Sequence, residues 1–331
     1  MRMMIELPSY SIAIRTLGTA GEKFREELES IREQTERPER VVVYIAEGYP
    51  RPAFTVGEEE YVWVPKGMMA QRVLPYGEIT SDCVLMLDDD VRLAPDSARR
   101  LLLAVEEEEF DCVAADVFKN HEMPLPVKLK AAMANWVFPH GGKKWAFRMR
   151  RTGSFSYNLS PESRCYLSQT CGGPAMMWRK EAFLALGLEN ELWMDSFGFA
   201  YGEDALLSYK LHLNGGRLGV LYGSGVDNLD AGSSSRAFRK SPGWVALRTK
   251  AMFMTWWRMC YRNGLDTRRS RLLAAAAFSA KSLWLLLAMA GLSLARLSPK
   301  IVISYVRGWS EGLRLCRGGF FDDKGKYALR K

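Results

Sequence analysis

The sequence predicts an α/β fold built on a mostly parallel sheet with flanking helices, followed by amphipathic helices at the C-terminal end. Three observations carry this. Short apolar runs alternate with segments of helical period over about the first 120 residues. The central run, Cys83-Val84-Leu85-Met86-Leu87, passes without a break into Asp88-Asp89-Asp90. An early strand, glycine-containing loop, helix and second strand have the make-up of a β-α-β crossover.

Taken in order, Ser11 to Thr16 is a short strand. Gly18, Thr19 and Gly21 then lead into a helix with Phe24, Leu28 and Ile31 on one face. Val41 to Ile45 is almost continuously β-branched, as a strand buried on both faces requires. The crossover places Arg15, Thr16 and Glu47 together at the carboxyl edge of the sheet. Tyr61 to Val64 reads as a third strand, and Lys66-Gly67 as the opening of a helical stretch through Gln71 and Arg72 that ends near Pro75. The acid-tipped strand follows, then a helix from Pro95 through Leu101, Leu102 and Val105, then a strand from Cys112 to Phe118.

Residues 119–170 break every long period and read as an irregular insertion over the crevice, with room for a hairpin. Cys171-Gly172-Gly173 is a turn into a further strand, and Gly202-Glu203-Asp204 opens a helix carrying Leu206, Leu207 and Leu211. Acids at a helix start are favoured by its dipole whether or not they do chemistry. An acidic turn after a strand can likewise be merely solvated. Three adjacent carboxylates repel one another, however, and a divalent cation shared with substrate phosphates relieves that repulsion. Alternate residues of an extended chain point the same way, so Asp88 and Asp90 can converge. No GxGxxG follows the first strand and no GxxxxGK[ST] occurs, which excludes the dinucleotide fingerprint and the P-loop.

In this order the motifs resemble a family 2 glycosyltransferase of the GT-A, Rossmann-like fold, over residues 9–240. The resemblance rests on Arg15-Thr16, Glu47, Gly67 with Gln71-Arg72, the Asp88-Asp89-Asp90 form of a DxD motif, Cys171-Gly172-Gly173, and Glu203-Asp204. It implies an inverting, metal-dependent transfer of a sugar from a nucleotide donor, most naturally a UDP-sugar, to a glycan or lipid-linked acceptor in surface polysaccharide or glycoconjugate synthesis. It further implies that Arg15, Thr16 and Glu47 line the nucleobase pocket and that Arg72 lies near base or diphosphate. Asp88 and Asp89 then touch the nucleotide-sugar, and Asp90 holds Mn²⁺ or Mg²⁺. Asp204 is the implied general base, Glu203 orients substrate, and Gly172, Gly173, Trp193 and Asp195 border the acceptor.

The chain departs from the family pattern at three places: Glu47 replaces a commoner Asp, Val73 a commoner Asn, and Val226 to Asp230 lacks a His, so Asn228 or Asp227 must complete the metal site. Ser233 to Arg236 reads as a loop that closes over the donor. The altered His position also leaves open a scaffold that keeps the fold without catalysis. A nucleotidylyltransferase shares the sheet but needs an early basic glycine-rich loop, which residues 15–25 lack.

Charge divides the chain. Residues 1–230 hold 26 basic and 34 acidic side chains, residues 231–331 hold 20 and 4, and the whole is +8. The boundary suggests a catalytic domain over 1–240 and a basic helical region over 241–331. A basic end calls for an anionic partner. The nearly uninterrupted apolar stretch from Leu272 to Leu297 selects an anionic membrane face and argues against nucleic acid. On a helical wheel Arg268, Arg271, Lys281 and Arg296 share an arc of roughly 140°, together with Ser282 and Ser293. That stripe favours a helix lying in the membrane plane over one that spans it or re-enters. Ile301 to Leu315 reads as a second amphipathic helix. Six cysteines without a CxxC pair and an N-terminus without a signal-like apolar core suggest a reduced, cytosolic enzyme peripheral to the membrane. Oligomeric state has no signature in the sequence.

Overall fold

The computed structural model describes residues 6–197, 200–229 and 241–329; the Ser233–Arg236 loop lies outside them. In chain order the first part contains β1 (Tyr10–Thr16), α1 (Glu22–Arg32), β2 (Val41–Ala46), β3 (Glu59–Val64), β4 (Cys83–Asp88), β5 (Val91–Leu93), α2 (Ser97–Glu107) and β6 (Cys112–Ala115). The central part contains α3 (Leu125–Asn135), β7 (Phe138–His140), β8 (Phe147–Met149), β9 (Phe155–Asn158), β10 (Cys165–Ser168), β11 (Ala175–Arg179) and α4 (Lys180–Leu184). Then come α5 (Glu203–Leu213), β12 (Leu218–Leu221), β13 (Val226–Asn228), α6 (Pro242–Trp256), α7 (Arg268–Ala295) and α8 (Lys300–Arg317).

The main sheet has eight strands in the order β10-β12-β6-β11-β4-β1-β2-β3. Six run in one direction; β11 and β10 oppose them. β2 is buried at every residue, as its β-branched run predicts for a strand covered on both faces. The parallel register sets Arg15 beside Asp88 on the neighbouring strand, so the first and fourth strands deliver opposite charges to the same edge.

Two expectations are corrected. Lys66 to Pro75 is a series of turns and contains no helix, because Asp195, far away in sequence, takes the backbone N–H groups of Met69 and Ala70 (3.1 and 2.8 Å). A Cβ on Gly67 would fall 2.1 Å from Asp195 Oδ2, which explains the glycine there. Residues 119–170 are more ordered than their sequence suggests: α3 precedes a three-stranded sheet in the order β7-β9-β8, which leans on the main sheet through Trp145 and Leu167.

The C-terminal helices share one apolar core with the sheet: Met252, Phe253, Trp256, Phe278 and Tyr305 are continuous with Met86, Met176 and Trp178. α8 lies close against α6 because a Cβ on Gly308 would come within 2.2 Å of Ala246 O. A buried ion network fastens the layer to the sheet. Glu191 accepts from Arg258 at 2.7 Å and from Lys210 at 3.2 Å, and Arg258 also donates to the carbonyls of Lys324 and Gly325. Burial alone would raise the Glu191 pKa; the two cations outweigh it and hold the carboxylate ionised.

α7 shows which side its polar stripe faces. Ala274, Phe278, Lys281, Ser282 and Leu285 are buried against the protein, while Leu272, Leu283, Leu287 and Leu294 are exposed, Leu287 by 61%. The middle of the stripe therefore faces inward and the leucines face outward. α3 extends the same character: none of its residues is buried, Leu125, Leu129 and Met133 are exposed, and Trp284 Nε1 donates to Met133 O at 2.8 Å.

Candidate active site

The carboxyl edge of the sheet gathers most of the side chains singled out from sequence. Arg15, at the end of β1, donates to Asp88 Oδ1 (2.6 Å), to Met68 O (3.0 Å) and, more loosely, to Glu203 Oε1 (3.4 Å). Arg72 reaches the same Asp88 oxygen at 3.0 Å. One carboxylate thus sits between two guanidiniums, and one of those joins the β4 edge to the start of α5. Burial would raise the Asp88 pKa, but Arg15 and Arg72 more than offset it, so the group stays ionised.

Asp204 is held by two backbone donors, Ala205 N at 2.7 Å and Gly173 N at 3.0 Å. Gly202 adopts φ 75°, a conformation that suits glycine, and so aims the two acids of α5 at the crevice. A Cβ on Gly173 would lie 2.7 Å from Arg72 Nη2 and 2.9 Å from Asp204 Cβ. The turn is glycine because guanidinium and carboxylate converge on it. Burial, reinforced by the charge of Asp204, pushes Glu203 up to about 7. Burial likewise raises Asp204, against the pull of Arg72.

Several side chains do something other than their sequence-based assignment. Thr16 is buried; its hydroxyl donates to Asp89 Oδ2 at 2.5 Å and accepts from Gly18 N, so Thr16 positions Asp89. Burial raises Asp89 to about 6; the Thr16 bond opposes this, and the charges of Asp90 and Asp88 add to it. Asp195 caps the Gly67 turn, and Trp193 is packed against Phe320 and Phe321 with its indole N–H on Glu191. Gly172 is constrained by the Phe118 ring, 2.6 Å from where its Cβ would be. Glu47 is exposed just beyond β2 and joins the sheet through its N–H to Val64 O.

The pairing of β5 with β13 brings the metal candidates together, with Asn228 opposite Val91 and Leu229 N on Asp90 O at 2.7 Å. Asp227 is engaged by cations of the protein itself. It occupies the alternate position on β13, where Lys119 (2.8 Å) and Arg92 (3.5 Å) hold it, and the Lys119 hydrogen bond is the main cause of its lowered pKa. Asp90 and Asn228 remain the other two candidates. Among the described residues no three His, Cys, Asp or Glu side chains form a metal cluster. One or two protein oxygens completed by phosphate oxygens is the mode in which Mg²⁺-type cations are commonly held. Arg72 Nε, buried and without an acceptor among the described residues, leaves a donor for such an anion. The residues fit a cation and diphosphate.

Sequence reasoning missed Glu27 and gave Gln71 no role of its own. Gln71 bonds the carbonyls of Thr16 and Tyr44, tying the ends of β1 and β2. Glu27 is fully buried on α1; burial, together with the nearby charges of Asp89, Asp88 and Asp90, holds its pKa well above the usual carboxylate range. The available signal was an acid on the helix face shared by Phe24, Leu28 and Ile31.

No protein-family model matches the chain, and no curated protein matches it. Solved structures do. The structure described as GalNAc-T7 with UDP, GalNAc and Mn²⁺ aligns at a TM-score of 0.50 with 13% identity, over 89% of this chain and 58% of that one. The mannosyltransferase PcManGT from Pyrobaculum calidifontis, in complex with GDP-Man and Mn²⁺, aligns at 0.47 with 14% identity, over 93% and 88%. This chain thus spans little more than half of GalNAc-T7. At such identities the likeness concerns architecture: the fold is the mixed α/β, GT-A type.

Proposed function

We propose that the chain is a metal-dependent glycosyltransferase that moves a sugar from a nucleotide donor to an acceptor hydroxyl with inversion. The observation that carries this is Arg15, bridging Asp88 and Glu203: the donor-side acids of β4 and the acid pair of α5 share one crevice. Asp204, with its raised pKa and fixed orientation, takes the proton of the acceptor hydroxyl as that oxygen attacks the anomeric carbon. Glu203 and Arg15 orient the sugar, and Arg72 offers its free donor to the departing nucleoside diphosphate. A Mn²⁺ or Mg²⁺ ion held by Asp90 and Asn228 would neutralise charge on that leaving group. One base facing one leaving group implies a single displacement. A UDP-sugar donor and a glycan or lipid-linked acceptor in surface polysaccharide synthesis remain the favoured substrates.

The same reading places the protein on an anionic membrane at the cytosolic face. Its support is the outward leucine face of α7 and α3, beside a C-terminal part rich in Arg and Lys. α7 is long and apolar enough to cross a bilayer, but Lys281 packed inward favours a helix that lies on the surface.

The test is release of nucleoside diphosphate from UDP- and GDP-sugars with Mn²⁺, comparing the wild type with Asp90→Ala and Asp204→Asn. Turnover that vanishes in both variants supports the transferase. No turnover and no nucleotide binding by the wild type would favour the scaffold.

A further inference from the structure

The helical layer contains a second feature, distinct from the acid cluster. Between α3, α6, α7 and α8 lies a cavity of about 140 Å³ walled by Met252, Leu285, Met289 and Ile301. That is close to the volume at which an apolar protein cavity accepts a benzene-sized fragment. Two guanidiniums, Arg248 and Arg296, also line it. Neither has a carboxylate partner among the described residues. Arg248 donates to Asn135 Oδ1 at 2.7 Å and lies over the rings of Trp244 and Tyr201, 5.1 and 5.3 Å from their centres.

Behind this wall sits Lys281, 2% exposed, bonded to Thr152 O (3.2 Å) and Ser154 Oγ (2.7 Å) and to no carboxylate among the described residues. Ser154 in turn donates to Asn135 O. Two cations are thus linked through neutral groups, in contrast with the Glu191 network, where each cation shares an anion. An apolar slot rimmed by unneutralised guanidiniums is complementary to a molecule with a hydrocarbon chain and an anionic head.

We propose that this cavity takes the first hydrocarbon segment of a lipid phosphate or diphosphate between α7 and α8, head at Arg248 and Arg296, and that it holds the lipid anchor of an acceptor whose attached sugar supplies the attacking hydroxyl. The location supports this. The Tyr201 ring under Arg248 is three residues from Asp204, and Thr255 on α6 bonds Tyr201 O at 3.4 Å. A head group at Arg248 is therefore one side chain away from the segment that carries the base. The assignment as acceptor subsite rests on the transferase reading; the lipid-phosphate site itself does not.

The experiment titrates the full chain with farnesyl phosphate, lysophosphatidate, farnesol and inorganic phosphate, each below its aggregation threshold, by calorimetry. Both lipid phosphates, or the one that matches the natural chain, are expected to bind at least tenfold more tightly than farnesol and inorganic phosphate; their order identifies the lipid source. Arg248→Met, which removes the head contact, and Met289→Trp, which fills the slot, should each weaken that binding at least tenfold while the thermal midpoint shows the variant folded. Equal binding of farnesol or of inorganic phosphate overturns the proposal, as does a loss below tenfold in both folded variants. Binding of UDP and GDP with Mn²⁺ to the wild type is measured alongside. Nucleotide binding without lipid-phosphate binding removes this inference alone, whereas loss of nucleotide binding counts against the transferase reading.

Discussion

The carboxyl edge of the sheet and the C-terminal helical layer bury charge in opposite ways. At the sheet edge Arg15 and Arg72 are paired with Asp88 and Glu203 inside the molecule, while the neighbouring acids Asp89, Asp90 and Asp204 leave the edge acidic on balance. In the layer Lys281 is buried among neutral acceptors, and Arg248 and Arg296 face an apolar slot while leucines face outward. The first region holds its reactive groups ready before any ligand arrives. The second leaves cations and leucines without partners of their own kind among the described residues, which is the ground for the lipid site proposed above.

The largest expected effect is at the matched edge. Asp204→Asn should lower kcat by about a thousandfold, within the range of general-base removal, with little change in nucleotide affinity. A decrease below tenfold in single-turnover assays would take the base away from Asp204. The next tests what joins the two regions: Glu191→Ala leaves Lys210 and Arg258 buried without their anion and should cost about 3–5 kcal/mol in a urea melt. If the helical layer were only loosely attached, the melt would hardly move.

Outside the crevice, Leu283→Glu with Leu287→Glu should reduce partition onto anionic vesicles at least tenfold and leave the melt unchanged, since both leucines are already exposed. Vesicle binding that survives would mean the face meets something other than lipid. The smallest effects are in pH. Glu203, held near about 7, and the raised Asp204 must be ionised for base catalysis, so kcat should fall as pH drops through about 7. Lys281 is shifted in the opposite sense, but its effect also increases with pH. Burial depresses it to about 7 from an unfolded value of 10.5, so the unfolded chain binds more protons between those values and stability should rise with pH across that window. Lys281→Met should flatten the slope; an unchanged slope would mean the lysine is solvated.

How much of this the sequence reveals depends on how local the cause is. β1, β2, β4 and β6 are legible because each is a short apolar run, and Asp88 to Asp90 mark their own edge, whereas β7 to β9 have no such run and are lost in a stretch that reads as irregular. The Gly67 turn is not, since the group that shapes it, Asp195, lies over a hundred residues away. Asp227 and Asn228 look interchangeable as candidates until the pairing with Val91 to Leu93 assigns them opposite sides of a strand. The wheel of α7 sorts its residues correctly into two faces but cannot say which face meets protein. Tertiary packing decides that, through Ser154 and Thr152, which nothing near Lys281 announces.

Gly173 has a wider consequence. Arg72 and Asp204 close on it from two sides, so no side chain can be introduced there without moving both. If the proposed transfer is right, donor grip and acceptor activation are mechanically one unit at this point, and a new leaving group and a new nucleophile could not be engineered independently. On that reading a change of specificity would enter from the periphery, through Glu47 on one side or the Arg248 slot on the other, and leave the hub untouched.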